Sequence, residues 1–270
     1  MTVAQRHPEP APQPLVLRAV ADGVATLTMN RPAARNALST ALLAALQDAL
    51  DGLATDAAVK VVVLAGAGPA FSAGHDLREL RADPNRAAYE AVFAQCSRLM
   101  LTILKLPKPV IARVHGVATA AGCQLVATCD LAVASTAARF ATPGVNIGLF
   151  CSTPMVALTR AVGRKPAMEM LLTGELVDAE TAKALGLVNR VVAPERLDDE
   201  TFALARLIAS KSPLTVRTGK EAFYRQIELG VAEAYAYASR VMTENMLAHD
   251  AEAGIDAFIA KAPPPDWQGR

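Results

Sequence analysis

Aromatic residues are scarce, at 4% of 270 residues with a single tryptophan. Surplus charge is absent: 27 Lys and Arg stand against 26 Asp and Glu, for a formal net charge of +1. A balance that close excludes a broad basic face for nucleic acid. No run of about 18 apolar residues occurs, so no segment is expected to span a membrane. The four cysteines, Cys96, Cys123, Cys129 and Cys151, form no CxxC pair and are too sparse for a disulfide framework. His7, His75, His115 and His249 show no zinc-ligand spacing, and no metal site is expected. Phosphate-binding GxxxxGK[ST], the GxSxG nucleophile elbow and close carboxylate pairs are also missing. The opening MTVAQRHPEPAPQP lacks the apolar centre of a secretory signal. Its prolines at 8, 10, 12 and 14 predict a disordered lead-in over residues 1–14. A reduced, cytoplasmic protein is the expectation.

What is present is an apolar chain, 52% by composition, long enough to bury a large core. VATLTM at 24–29 predicts a strand. Ser39 stands as an N-cap before a helix whose leucines at 42, 43, 46, 50 and 53 form one stripe. KVVVLAG at 60–66 is a continuous β-branched run, the pattern of a strand covered on both faces. A helix is expected from Arg86 to Leu106, ended by Pro107 and Pro109. Strands follow at 110–116 and 130–135, with a buried helix of small residues at 118–129 between them. LVNRVV, ending at 192, is the last strand. The pattern is then helical to the end of the chain. An α/β unit over 15–205 and an all-helical appendage over 206–270 follow from this change.

Gly66-Ala67-Gly68 after a strand imitates a dinucleotide fingerprint, but the third glycine position is Phe71 and no helix starts there. Two other segments are distinctive: FSAGHDL at 71–77 and HGVATAAGCQ at 115–124. Each runs from a strand end or turn into a helix, where backbone N–H groups lack helical partners. Small residues there let a ligand reach the backbone. Two such N–H groups converging on one point make an oxyanion hole. From the residues alone, tight packing junctions between elements are the better account of both segments.

These segments, in this order and about 45 residues apart, resemble those of the crotonase (enoyl-CoA hydratase/isomerase) superfamily. The likeness extends to MNRPAARNALS at 29–39, KLPKPVIARVHGVATAAGCQLVATCDLAVAS at 105–135, FATPGVNIGL, and LTRAVGRKPAMEMLLTGELVDAETAKALGLVNRVV. It covers nearly everything from Leu15 to Lys261. Within the superfamily, FSAGHDL, AAGCQLVATCD and FATPGVNIGLFCSTP are most similar to the enoyl-CoA hydratase domain-containing branch. The resemblance implies a spiral of ββα units with a helical C-terminal trimerisation domain, hence a homotrimer or a dimer of trimers. It implies an acyl-CoA ligand, lyase or isomerase chemistry, and no separate cofactor or metal.

By the same resemblance, the oxyanion-hole donors fall on the backbone N–H of His75 and of Ala121. The CoA-binding positions fall on Ala33, Arg35, Ala73, Asp76, Leu77, Arg78, Ala118, Ala120, Gln124 and Pro143. Arg35 and Arg78 would meet phosphates. Phe258 and Lys261 would close over the CoA, from the same or a neighbouring subunit.

One departure bears on activity. Family hydratases carry two glutamates, and here those positions hold Gln124 and Gly144. An amide cannot exchange protons as a carboxyl can, and glycine offers nothing. Efficient 2-enoyl-CoA hydration is therefore not expected, and glutamate at both positions is expected to raise it. Asn146, Cys151 and Ser152 are the polar side chains nearest in sequence that could substitute. Isomerisation, thioester hydrolysis and non-catalytic acyl-CoA binding remain as alternatives. His115 and Asp130 read as structural, Asp76 as a helix cap, and Lys60, Lys105 and Lys108 as solvated surface.

Overall fold

The computed structural model describes residues 13–270. Apart from Gln13 and Pro14, the expected lead-in lies outside the described residues. Strands β1 (Val16–Ala21) and β2 (Val24–Met29) form an antiparallel hairpin with Val16 opposite Met29. The hairpin turns at Asp22-Gly23, both with positive φ, the pair that a two-residue hairpin turn favours. Helix α1 (Thr40–Ala54) follows. Ser39 caps it as expected, its side chain accepting from the Leu42 N–H, and the five leucines of its stripe are all buried.

The chain then repeats a strand pair and a helix. β3 (Val61–Gly66) and β4 (Ala70–Ser72) lead into α2 (Leu77–Ala82) and α3 (Arg86–Lys105). β5 (Val110–Val114) and β6 (Val117–Thr119) lead into α4 (Ala121–Thr128). β7 (Leu131–Ser135) and β8 (Arg139–Ala141) lead into α5 (Pro154–Ala161) and α6 (Arg164–Thr173). β9 (Val177–Asp178), α7 (Ala179–Ala184) and β10 (Arg190–Val192) close the unit. The first strand of each repeat joins one six-stranded sheet, ordered β1-β2-β3-β5-β7-β10 and parallel from β2 onward. The second joins a four-stranded sheet, β4-β6-β8-β9. This is the spiral of ββα units that the resemblance implied. The helix expected at 118–129 begins only at Ala121, because Val117–Thr119 is spent on β6.

The apolar run in β3 has a direct structural cause. Val62 and Leu64 point into the main core with α1, α3 and α4, whereas Val61 and Val63 point into a second cluster on the opposite face. Leu197, Leu204, Ala205 and Ala209 of α8 (Leu197–Ala209) cover that second face. Helix α8 therefore belongs to the sheet's packing and crosses position 205. Helices α9 (Pro213–Gln226), α10 (Val231–Met246) and α11 (His249–Ile259) complete the chain.

A buried polar cluster ties α9 to the spiral. Lys220 Nζ donates to Asp130 Oδ2 at 2.7 Å and to the carbonyls of Ile103 and Lys108 at 2.8 and 3.0 Å. Tyr224 donates to Asp130 Oδ1 at 2.8 Å, and the Val110 N–H to Oδ2 at 2.6 Å. Asp130 is thus structural, as read. Lys108 is not solvated surface: it is buried, and its ammonium caps the end of α1 through the Leu53 and Asp56 carbonyls. Among the described residues no helix is long and apolar enough to cross a membrane.

Asp130→Ala should lower the unfolding free energy by about 3–5 kcal/mol, because it leaves the Lys220 ammonium buried without its counter-charge. Replacing both residues with apolar ones (Asp130→Leu with Lys220→Met) should cost clearly less. Urea unfolding of the three proteins checks the order; equal losses would show that the charge pair is not what matters.

Candidate functional site

The segment from Arg31 to Leu38 organises the site. Asn36 is fully buried and has positive φ. Its Nδ2 donates to the carbonyls of Ala67 and Ala70, both at 2.8 Å, and its Oδ1 accepts from the Arg31 N–H at 2.9 Å. Those bonds lock the segment onto the β3–β4 connection. The Arg31 guanidinium donates to the Ala37 carbonyl at 2.6 Å and to Asp76 Oδ2 at 3.0 Å. Asp76 caps α2 as expected, accepting from the N–H groups of Arg78 and Glu79. Burial alone would raise its pKa, but Arg31 and the two amides outweigh it and hold the carboxyl below its ordinary value.

Leu38 then pairs with the turn before α2. Its N–H donates to the Gly74 carbonyl at 2.8 Å, and its carbonyl accepts from the Asp76 N–H at 3.3 Å. His75, between those two bonds, directs its own N–H to the other side of the bridge. That N–H has no hydrogen-bond partner among the described residues. Across from it, Ala120 adopts φ 50° and ψ −119°, and its N–H donates to the Ala141 carbonyl at 2.9 Å. Ala121 opens α4 fully buried, and its N–H is likewise without a partner.

The two turns abut. A Cβ on Gly74, whose φ is +89°, would lie 2.8 Å from Ala120 Cβ, 2.9 Å from the Thr119 carbonyl oxygen and 3.2 Å from the Ala121 nitrogen. Only glycine allows that approach. The structure thus brings together His75, Ala120, Ala121 and, one turn along α4, Gln124. Ala118 lies buried in β6 beside them.

Four of the seven buried side-chain polar atoms without a partner among the described residues lie on or beside these segments. They are Nδ1 and Nε2 of His75, Oε1 of Gln124 and Oγ1 of Thr142, next to the Ala141 carbonyl. Burial depresses the His75 pKa and keeps the ring neutral near pH 7. The Leu38 carbonyl, near but outside hydrogen-bonding geometry, and the Glu79 charge oppose that shift. The ring stacks edge-on against Phe93, with centroids 5.5 Å apart. Both flanking carboxylates are already hydrogen-bonded. Asp76 is committed to Arg31 and the α2 amides, and Glu79 accepts from the backbone and hydroxyl of Thr40.

Gly144 corrects one expectation. A Cβ there would fall 2.6 Å from the Leu149 carbonyl oxygen and 2.9 Å from Cys151 Sγ. The space a glutamate would need is filled, so installing one does not restore a second acid. Cys151 is buried, and burial raises its thiol pKa against a weaker pull from the Gly144 backbone. Its neighbour Cys123 is pushed up to about 12 by burial. Neither is a thiolate near pH 7. Ser152 is exposed and turned to the Phe150 carbonyl at 3.4 Å. Asn146 does line a cavity. His115 Nε2 pairs with the Gly68 carbonyl at 2.8 Å, a structural contact.

Two open cavities meet at Arg35. One of about 440 Å³ is lined by Arg31, Ala33, Asp76, Leu77 and Arg78. The other, of about 800 Å³, is lined by Ala73, Thr119, Ala141, Pro143 and Asn146. Phe258 and Lys261 line neither; Phe258 is 84% exposed at the end of α11. Arg31, Asn36, Leu38 and Thr142 were missed as site-building residues, although the first three lie in the MNRPAARNALS motif. Among the described residues no three His, Cys, Asp or Glu side chains gather as metal ligands.

A two-sheet spiral of ββα units with free backbone donors at its turns is the crotonase architecture. The chain belongs to the Enoyl-CoA hydratase/isomerase family, whose sequence profile matches residues 19–270. An enoyl-CoA hydratase of Mycobacterium smegmatis superposes with a TM-score of 0.92 at 58% identity, covering 94% of this chain and 99% of that one. The human enoyl-CoA hydratase domain-containing protein 3 superposes with a TM-score of 0.91 at 46% identity, covering 93% of this chain and all of that one. The mitochondrial protein of that name from Rattus norvegicus is 47% identical over 243 residues, 90% of this chain and 81% of its own length. The rat, mouse and human relatives all carry that mitochondrial designation. It overturns the cytoplasmic expectation, which rested on the sparse cysteines, the lack of a long apolar run and the missing secretory pattern.

Gly74→Ala should force the two turns apart. Unfolding free energy should fall by about 1–3 kcal/mol, and turnover of any thioester substrate should be lost. Thermal unfolding and a thioester assay check this; unchanged turnover would show that the abutment is not needed.

Proposed function

We propose that this protein binds acyl-CoA thioesters and stabilises negative charge on the thioester oxygen between the N–H groups of His75 and Ala121. The observation carrying this reading is the pair of unpartnered N–H groups on backbones held against each other at Gly74 and Ala120. Such donors serve an enolate or a tetrahedral intermediate alike, and losing one typically costs ~10²–10³ in rate. Arg35 and Arg78 stand at the cavities as the cations for CoA phosphates, with Ala33, Ala73, Leu77 and Pro143 shaping the cleft; Ala118 and Ala120 line neither cavity. In a homotrimer or a dimer of trimers, Phe258 and Lys261 would serve a neighbouring copy.

Water addition to a 2-enoyl thioester needs a base for the water and an acid for the α-carbon. Gln124 cannot exchange protons, and Cys151 and the Leu149 carbonyl occupy the space beside Gly144. Isomerisation also moves a proton between carbons and so needs the same missing groups. Thioester hydrolysis, in which water adds to the carbonyl, the C–S bond breaks and the water proton leaves with the thiol, is the oxyanion-dependent reaction this site fits. The filled space at Gly144 favours one second reading, acyl-CoA binding without turnover.

Crotonyl-CoA should bind yet be hydrated far more slowly than the ~10² per second of a competent enzyme, since positioned acid–base groups contribute ~10²–10⁴. Gln124→Glu alone should change that little. Hydration by the wild type at about 10² per second would overturn the proposal that the acids are missing. Turnover of an acyl-CoA panel followed by mass spectrometry separates catalysis from binding.

The assembly is tested separately. Helices α9 to α11 expose Phe223, Tyr235, Met242, Leu247 and Ile259, each more than half accessible in the single chain. Light scattering should give a trimer or hexamer; a monomer near 28 kDa in dilute solution would refute it.

A further inference from the structure

A second cleft lies away from the candidate site, between the end of α1 and the α8–α9 junction. Its volume is about 340 Å³, and Lys60, Lys108, Lys211 and Arg217 line it against one acid, Asp56. That acid is already neutralised: Arg18 bonds its Oδ2 at 2.6 Å and the Ala58 N–H its Oδ1 at 3.0 Å. The Lys108 ammonium is turned to the Leu53 and Asp56 carbonyls, so it contributes charge without being displaceable. Lys60, Lys211 and Arg217 form no ion pair and no side-chain hydrogen bond among the described residues. In a protein of net charge +1, three unanswered cations around one small cleft are a local concentration of like charge.

The cleft is also a built one. The C-terminal residues form one wall and are held rigidly. Asp250 is buried and accepts from the N–H groups of Gln268 and Gly269 at 2.8 and 2.9 Å and from the Ser212 hydroxyl at 2.6 Å. Trp267 donates to the Ser210 carbonyl at 2.9 Å. The 14-residue helix α9 starts in the cleft at Pro213, so its positive end adds to the field.

We infer that this cleft binds a phosphate-bearing anion of two or more charges, of pyrophosphate size, through Lys60, Lys211 and Arg217. A compact polyanion suits it because charge-assisted bonds to several cations lining one cleft are strong, whereas a monoanion leaves the repulsion partly unanswered. The inference is independent of the thioester reading.

Inorganic pyrophosphate titrated into the full chain by calorimetry is the test. A site that persists in Arg78→Ala is expected, weakening between low salt and about 0.3 M salt. Lys60→Gln combined with Arg217→Gln should weaken binding by about tenfold or more. Arg78→Ala, which alters the candidate thioester cleft, should leave it unchanged. If circular dichroism shows that the double variant is unfolded, Lys211→Glu at an exposed position takes its place with the same expectation. No binding, binding as tight in the cleft variants as in the wild type, or binding lost on Arg78→Ala would each overturn the inference.

Discussion

The backbone of Leu38 holds the centre of this protein. By taking the Gly74 carbonyl side with its N–H and the Asp76 N–H with its carbonyl, it fixes the one peptide N–H between them, that of His75. Everything around it serves to keep Leu38 in place. Asn36, buried with positive φ, is bonded to both ends of the β3–β4 connection. Arg31 ties the same segment to Asp76 and so to the start of α2. Removing any one of these leaves a buried polar group without a partner, which costs about 1–3 kcal/mol. The second donor depends on the first, because the Ala120 turn is positioned by contact with Gly74.

The spiral supplies what those contacts need. Each repeat sends one strand to the large sheet and a three-residue strand to the small one, and the short strand ends where a helix begins. The two partnerless N–H groups therefore lie just after short strands, that of His75 in the bridge before α2 and that of Ala121 at the start of α4. Parallel pairing of β4, β6 and β8 puts those starts side by side. The site is a consequence of topology as much as of any side chain.

The parts of this arrangement legible in the sequence were those with a period or a cap. VVVLAG, the leucine stripe behind Ser39 and the proline stop after α3 each carried enough residues to decide the element. β4, β6 and β8 did not, because three residues show no alternation, and β6 was absorbed into the helix that follows it. Lys108 was misread because nothing in the sequence signals that the carbonyls at the end of α1 will sit over it. The boundary at 205 falls inside α8, since a helix packed on a sheet looks the same in sequence as one packed on other helices. His75 and Ala121 are singled out by the motifs around them together with the family resemblance. Their convergence depends on Gly74 meeting Ala120 across 46 residues, which no local pattern encodes.

The contrast between what is kept and what is missing has a physical logic. An oxyanion hole made of peptide N–H groups does not depend on side-chain identity, only on backbone path; Ala121 donates as any residue would. A proton-transferring carboxylate depends wholly on the side chain and on room for it. At position 144 the room itself is gone, with Cys151 Sγ and the Leu149 carbonyl against the glycine. Gln124 keeps the size and place of a glutamate but leaves its buried Oε1 without a partner. A buried amide oxygen with no donor is a cost of about 1–3 kcal/mol that a hydrocarbon acyl chain cannot relieve. On the proposed reading, such a site would stabilise charge on a thioester oxygen without side chains at 124 and 144 to carry protons to and from its carbons, and that division separates the chemistry proposed here from hydration.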